Sequence, residues 1–176
     1  MTTTITKANY PEAPSGSVGV SGKNEVLFVN YGTNASAASP VWEKVGGITN
    51  NSFNISLEVT TVQTKDTKYW AEGAIVGKSG EVSAEMICKK DDVGQMAVEN
   101  FVDDDETTEE KKALQFALVR TDTLTYRKFW AAPTSFETTA DAEDLIQKSF
   151  SATLLGAPEN LTGFVLPGTT NTTNPQ

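Results

Sequence analysis

The chain has 176 residues, enough for one domain with a sizeable core. Its composition, 38% hydrophobic and 21% charged, is that of an ordinary globular protein, and a net charge of −9 argues against a basic surface that grips nucleic acid. With no histidine and a single cysteine, Cys88, the sequence excludes an internal disulfide, a histidine-dependent triad and the usual zinc ligand.

Residues 1–23 are rich in Thr, Ser, Gly and Pro and lack periodicity, which predicts an N-terminal arm. Gly16, Gly19 and Gly22 recur at every third position, but no strand precedes them as a phosphate-binding loop requires. No run approaches the ~20 apolar residues of a membrane span. The first residues lack the apolar middle region of a signal peptide. The expectation is a chain made in the cytosol that does not bind membranes.

Residues 25–31 predict a first strand, and 41–45 a short second one ahead of a turn at Gly46 and Gly47. Phe53, Ile55, Leu57 and Val59 then alternate with Asn54, Ser56, Glu58 and Thr60, the period of a strand with one dry and one wet face. After a turn expected at Lys78, Ser79 and Gly80, Val82, Ala84, Met86 and Cys88 form a second dry face, with Glu81, Ser83 and Glu85 on the wet side. Full burial of each large apolar side chain contributes about 1.5–3 kcal/mol as an upper bound, so these strands are expected to anchor the core. Cys88 accordingly reads as a buried structural thiol. Between the strands, residues 61–73 mix Lys65, Asp66 and Lys68 with Tyr69 and Trp70, a loop of unusual length unless functional. Three residues separate Gly73 from Gly77 where a P-loop has four, and a strand follows Lys78 and Ser79 rather than a helix, so nucleotide binding is rejected.

Asp92 with Gln95 three residues on forms a capping box. Val93, Met96, Ala97 and Phe101 then share one face of a helix over 92–101, expected to pack on the sheet through Met96 and Phe101. The acidic run 103–110 lacks the glycine and ligand spacing of a calcium loop and reads as a solvated connection. Leu114, Phe116 and Leu118 alternate, residues 120–123 turn the chain, and Leu124, Tyr126 and Trp130 return in a hairpin that Pro133 ends. An acidic connector at 141–144 leads to a last strand over 146–155, with Phe150, Ala152 and Leu154 on one face. Beyond Gly156 the composition turns to Asn, Thr, Pro and Gly, predicting a C-terminal arm over 157–176, partly disordered, that docks through Phe164, Val165 and Leu166.

These elements predict a mainly β fold: a β-sandwich or partly open barrel over residues 24–156, with one short α-helix and extended N- and C-terminal arms. Sheet edges of this kind must be covered or matched by another chain. Copies that pair edge to edge around an axis close into a large barrel with an aqueous centre.

Over the same span the chain resembles the major tail (tail tube) proteins of long-tailed, non-contractile bacteriophages. The resemblance is carried by Trp42, by the stretches 45–50 (VGGITN), 52–56 (SFNIS) and 58–61 (EVTT), by the strand entered at Gly77 and the helix after it, and by Ser149, Phe150 and Ser151 ahead of Gly156. It implies a structural virion protein, not an enzyme and without cofactor or metal. Its copies would form hexameric rings stacked into a hollow tail tube that conducts the genome into the host. The implied partners are other copies of the chain, the tape measure protein and the proteins at the tube ends, with phage DNA passing through unbound. Residues Lys65, Asp66, Lys68, Tyr69 and Trp70 would lie on a loop reaching an adjoining ring; the other reading is an ordinary hairpin connection with Trp70 capping the core. Basic surfaces hold DNA through counterion release, so a conduit needs a neutral to acidic wall. Glu58, Glu81 and Glu85 are therefore expected to line the lumen, the alternative being that this face meets solvent outside the ring or is covered by a neighbour. A function of another class is a carbohydrate-binding module, adhesin or lectin-like, that stacks sugars on Trp42, Trp70 and Trp130. An enzyme would need a nucleophile–base constellation that the sequence does not display.

Overall fold

A computed structural model describes residues 21–62, 65, 71–103 and 113–168. Among them are eight strands and one α-helix: β1 (Glu25–Asn30), β2 (Trp42–Lys44), β3 (Ile48–Val62), β4 (Glu72–Ile87), α1 (Val93–Asp103), β5 (Leu114–Arg120), β6 (Thr125–Thr139), β7 (Gln147–Leu154) and β8 (Glu159–Thr162). The strands join antiparallel in the order β2-β1-β5-β6-β7-β4-β3, with β8 also paired to β6.

β6 organises the sheet because it changes partner along its length. Residues 125–131 pair with β5, and residues 131–139 pair with β7. The change falls beside Pro133, where the register shifts between Pro133 and Ser135. Pro133 was expected to end this strand; instead it sits at a bulge, one of the few places where a sheet tolerates a residue without an N–H. The two halves of the sheet contribute to a single core. Leu27, Val29, Phe116 and Leu118 come from one side, and Val82, Ala84, Met86, Phe150 and Ala152 from the other. Phe116 stacks on both Phe129 and Phe150, with ring centroids 5.9 and 6.0 Å apart.

α1 closes this core with a different face from the one its spacing suggested. Asp92 caps it, its Oδ1 accepting the Gln95 N–H at 2.9 Å. Gly94, Gln95, Ala97 and Val98 are buried, Phe101 is half-buried and Met96 is exposed. The cause is Gln95. Its Nε2 donates to the carbonyls of Gly46 (2.8 Å) and Ile87 (2.9 Å), and its Oε1 accepts the Lys89 N–H at 3.2 Å. Those bonds turn Gln95 inward and Met96 outward. Gly94 permits the approach, since a Cβ there would run into the Lys44 carbonyl and Val45 Cα.

The turn expected at Lys78, Ser79 and Gly80 is absent, for β4 runs straight through these residues in register with Leu57, Ser56 and Ile55. Gly80 marks a close approach rather than a turn: a Cβ on it would lie 2.9 Å from Leu154 Cδ2. Cys88 follows β4 and is half-buried.

A second, smaller core covers the other face of β1 and β5. Phe164 is 4% exposed there, packed on Phe28, Ala117 and Val119 with Trp42 and Tyr126 around it. Gly163, at φ +80, turns the chain after β8, and the N–H groups of Gly163 and Phe164 both donate to the Leu124 carbonyl. Residues 159–166, read from sequence as part of an arm, thus supply a strand and a buried aromatic. β5 is buried on both faces as a result.

Candidate functional site

β3 and β4 outrun the rest of the sheet. β7 accompanies β4 over residues 81–87, whereas β3 and β4 stay paired to Val62 and Glu72. Residues 55–62 and 72–80 therefore form a two-stranded arm projecting past the end of the sheet. Residues directly opposite each other in a ladder share a face. Phe53 and Val82 are opposite and packed in the core. Ile55, Leu57 and Val59 continue that face outward, with Ile75 opposite Val59 and Lys78 opposite Leu57. Val76 is the extra residue of a bulge. The sequence pattern predicted burial for Phe53, Ile55, Leu57 and Val59, but beyond Phe53 the row is bare: Leu57 is 54% exposed, and Ile75 across the ladder 62%. Nothing among the described residues lies over it. A lone two-stranded ribbon is marginal in water, so this surface wants a cover.

The opposite face of β3, β4, β7 and the second half of β6 is polar, row by row. Asn54 lies beside Glu81 and Thr153; Ser52 beside Ser83, Ser151 and Ser135; Asn50 beside Glu85, Ser149 and Glu137. Glu58 belongs to the same face, further out on the arm. Glu58, Glu81 and Glu85 are thus brought together, all three exposed. Glu137 joins them, a residue missed because Pro133 had been taken as the strand's end. No lysine or arginine stands in these rows. Lys148 is turned to the other face, where its Nζ meets Glu99 Oε2 at 2.7 Å and lies 5.6 Å from the Phe136 ring centroid.

This four-stranded unit has two open edges among the described residues. β3 ends the strand order, and residues 132–139 of β6 lie beyond the reach of β5, whose pairing stops at Ala131. Open edges are templates for pairing with another chain.

The other expected site residues are placed as follows. Lys65 is exposed, while Asp66, Lys68, Tyr69 and Trp70 lie outside the described residues, as does the acidic run from Asp104 to Glu110. Phe164 is buried, Leu166 half-buried and Val165 exposed. Trp42 is engaged by Phe164, ring centroids 6.0 Å apart, which takes it from a sugar-stacking platform; Trp130 is partly exposed. At the β5–β6 turn Arg120 donates to Asp122 at 2.8 Å, and that hydrogen bond holds the Asp122 carboxyl below its ordinary range. No group of three or more acidic or cysteine side chains among the described residues is arranged to hold a metal ion, and no described helix is long and apolar enough to cross a membrane.

Among curated proteins none matches the chain by sequence. Solved structures that share its fold include the following three. The tail of an empty gene transfer agent particle, refined helically with C6 symmetry, superposes with a TM-score of 0.65 at 15% identity, covering 82% of this chain and 100% of the other. The SPP1 tail tube, solved by solid-state NMR and cryo-EM, gives 0.65 at 14% identity, covering 84% and 81%. The sixfold-symmetrised baseplate of the anti-feeding prophage gives 0.57 at 10% identity, covering 83% and 97%. The sequence profile of the phage tail tube proteins matches residues 19–159, most of the described sheet and its helix, and the chain therefore belongs to the phage tail tube protein family.

Proposed function

We propose that six copies of this chain close into a ring, that the rings stack into the phage tail tube, and that the tube conducts DNA into the host. The observation that carries this reading is the four-stranded unit β3-β4-β7-β6, with an uncharged-to-acidic face on one side, a core on the other and an open edge at each flank. Edge-to-edge pairing of such units satisfies both open ladders and closes a barrel wide enough for an aqueous channel. The sixfold symmetry of the similar tail and baseplate structures supports the copy number.

In this arrangement Glu58, Glu81, Glu85 and Glu137 face the lumen, and the wall repels the phosphate backbone instead of binding it. The arm reaches the adjoining ring. Phe164 holds the C-terminal segment to its own subunit. The chain acts without catalysis or cofactor. It is made in the host cytoplasm and meets the tape measure protein inside the tube and other tail proteins at its ends.

Electron microscopy of the purified protein at high concentration tests the proposal. Rings and tubes of uniform diameter are expected. A monodisperse monomer at every concentration, above all one that binds glycans, would overturn it.

A further inference from the structure

The arm's bare apolar row has a counterpart at the far end of the same sheet. β4 ends at Ile87, and there the 140–146 connection and the start of α1 come together: the Cys88 N–H donates to the Ile146 carbonyl at 2.8 Å, and Gln95 donates to the Ile87 carbonyl at 2.9 Å. Leu145 is 62% exposed at this end and its chain neighbour Ile146 is exposed too, as are Val93 and Met96 in the first turn of α1. Asp141, Glu143 and Asp144 flank Leu145 and are exposed as well. Their side chains make no ion pair among the described residues; Asp141 and Asp144 accept the N–H groups of Ala142 and Leu145. The arm leaves from the opposite end of β4. Its apolar row contains one charge, Lys78, exposed and likewise without an ion pair among the described residues.

We infer that these two surfaces are the two halves of one contact between copies of the chain: Ile55, Leu57, Val59 and Ile75 of one copy seat on Leu145, Ile146 and Met96 of the next, with Lys78 facing the carboxylates of 141–144. The inference rests on the tube reading and names the surface that receives the arm. Three features favour a second copy as the occupant. Each surface is apolar and bare, so joining them removes both from water. The charges complement each other: a lone ammonium stands on one surface and three carboxylates on the other, whereas arm-to-arm pairing would set Lys78 against Lys78. Direction matters too. Residues 55–62 carry the arm about 25 Å beyond the sheet at ~3.3 Å per residue, so its partner lies ahead along the strands, while lateral neighbours use the open edges. A contact between unlike ends repeats without closing, as a filament requires.

Charge reversal tests this. Lys78→Glu should form rings but no tubes at low salt, and Glu143→Lys with Asp144→Lys should do the same. A chain carrying all three changes should regain tubes, because the charges at 78, 143 and 144 are then reversed together and Asp141 alone keeps its sign. Tubes from Lys78→Glu as long as those of the wild type, or no recovery in the combined variant, would overturn the contact and leave the ring reading standing. Absence of rings and tubes from the wild-type chain would instead overturn the tube reading, and this contact with it. A second measurement does not depend on charge. Leu57→Cys and Leu145→Cys chains, each also carrying Cys88→Ser, should form a mixed disulfide dimer when copolymerised and oxidised, and neither chain should dimerise alone. Tubes without that crosslink would overturn the contact.

Discussion

Gln95 shows how one side chain sets the position of an element. Buried among main-chain groups, it answers two carbonyls and one N–H on two separate stretches of backbone, at Gly46 and at Ile87 to Lys89. Gln95→Leu leaves all three without that partner, and each unsatisfied buried group costs about 1–3 kcal/mol. A loss of at least that size is expected in urea denaturation of the monomer; a change within 0.5 kcal/mol would mean that water or a neighbour replaces the amide. Met96→Ala, by contrast, should leave monomer stability within about 0.5 kcal/mol, the usual effect of an exposed substitution. The sequence marked both residues but assigned them the other way round. Capping-box spacing at Asp92 and Gln95 is real, and Asp92 does cap, yet the pattern is blind to main-chain acceptors that only the fold brings near.

The elements divide by where their cover comes from. β7 and the buried half of β4 were legible from alternation alone, since their dry faces meet one another in the core. Alternation over Ile55, Leu57 and Val59 was equally clear, but periodicity reports a dry face without saying whose residues dry it. Leu57→Ser and Ile75→Ser should therefore leave the melting temperature of the monomer unchanged and abolish tube growth. A lowered melting temperature at either site would place the row inside the monomer's own core. The C-terminal segment errs in the opposite direction. Its polar composition hid β8, although docking through Phe164 was expected; the burial of that ring depends on three aromatics from distant positions. Phe164→Ala should cost about 3–5 kcal/mol, as for other emptied aromatic sites. Deletion of 159–176 should lower the melting temperature by at least as much, and an unchanged thermal transition would return the segment to the status of an arm.

At the scale of the molecule, the mainly β class followed from strand spacing. The placement of charge within the fold was harder to read. Lysines are present on β4 and β7, yet Lys78 and Lys148 are on the core side of the sheet, leaving serines, threonines, amides and glutamates, with Ala132 and Ile87, on the other. That division depends on register, which Pro133 obscured for β6. Replacing Glu81, Glu85 and Glu137 by lysine should leave tubes intact and slow genome ejection, because an electropositive wall retains DNA through counterion release. Cryo-electron microscopy of the assembled tube tests the central claim most directly. The account predicts β3, β4, β7 and the second half of β6 from each of six copies as the inner wall, with Glu81, Glu85 and Glu137 pointing into the lumen. An inner wall built from β1, β2 and β5, with those glutamates on the outer surface, would contradict it.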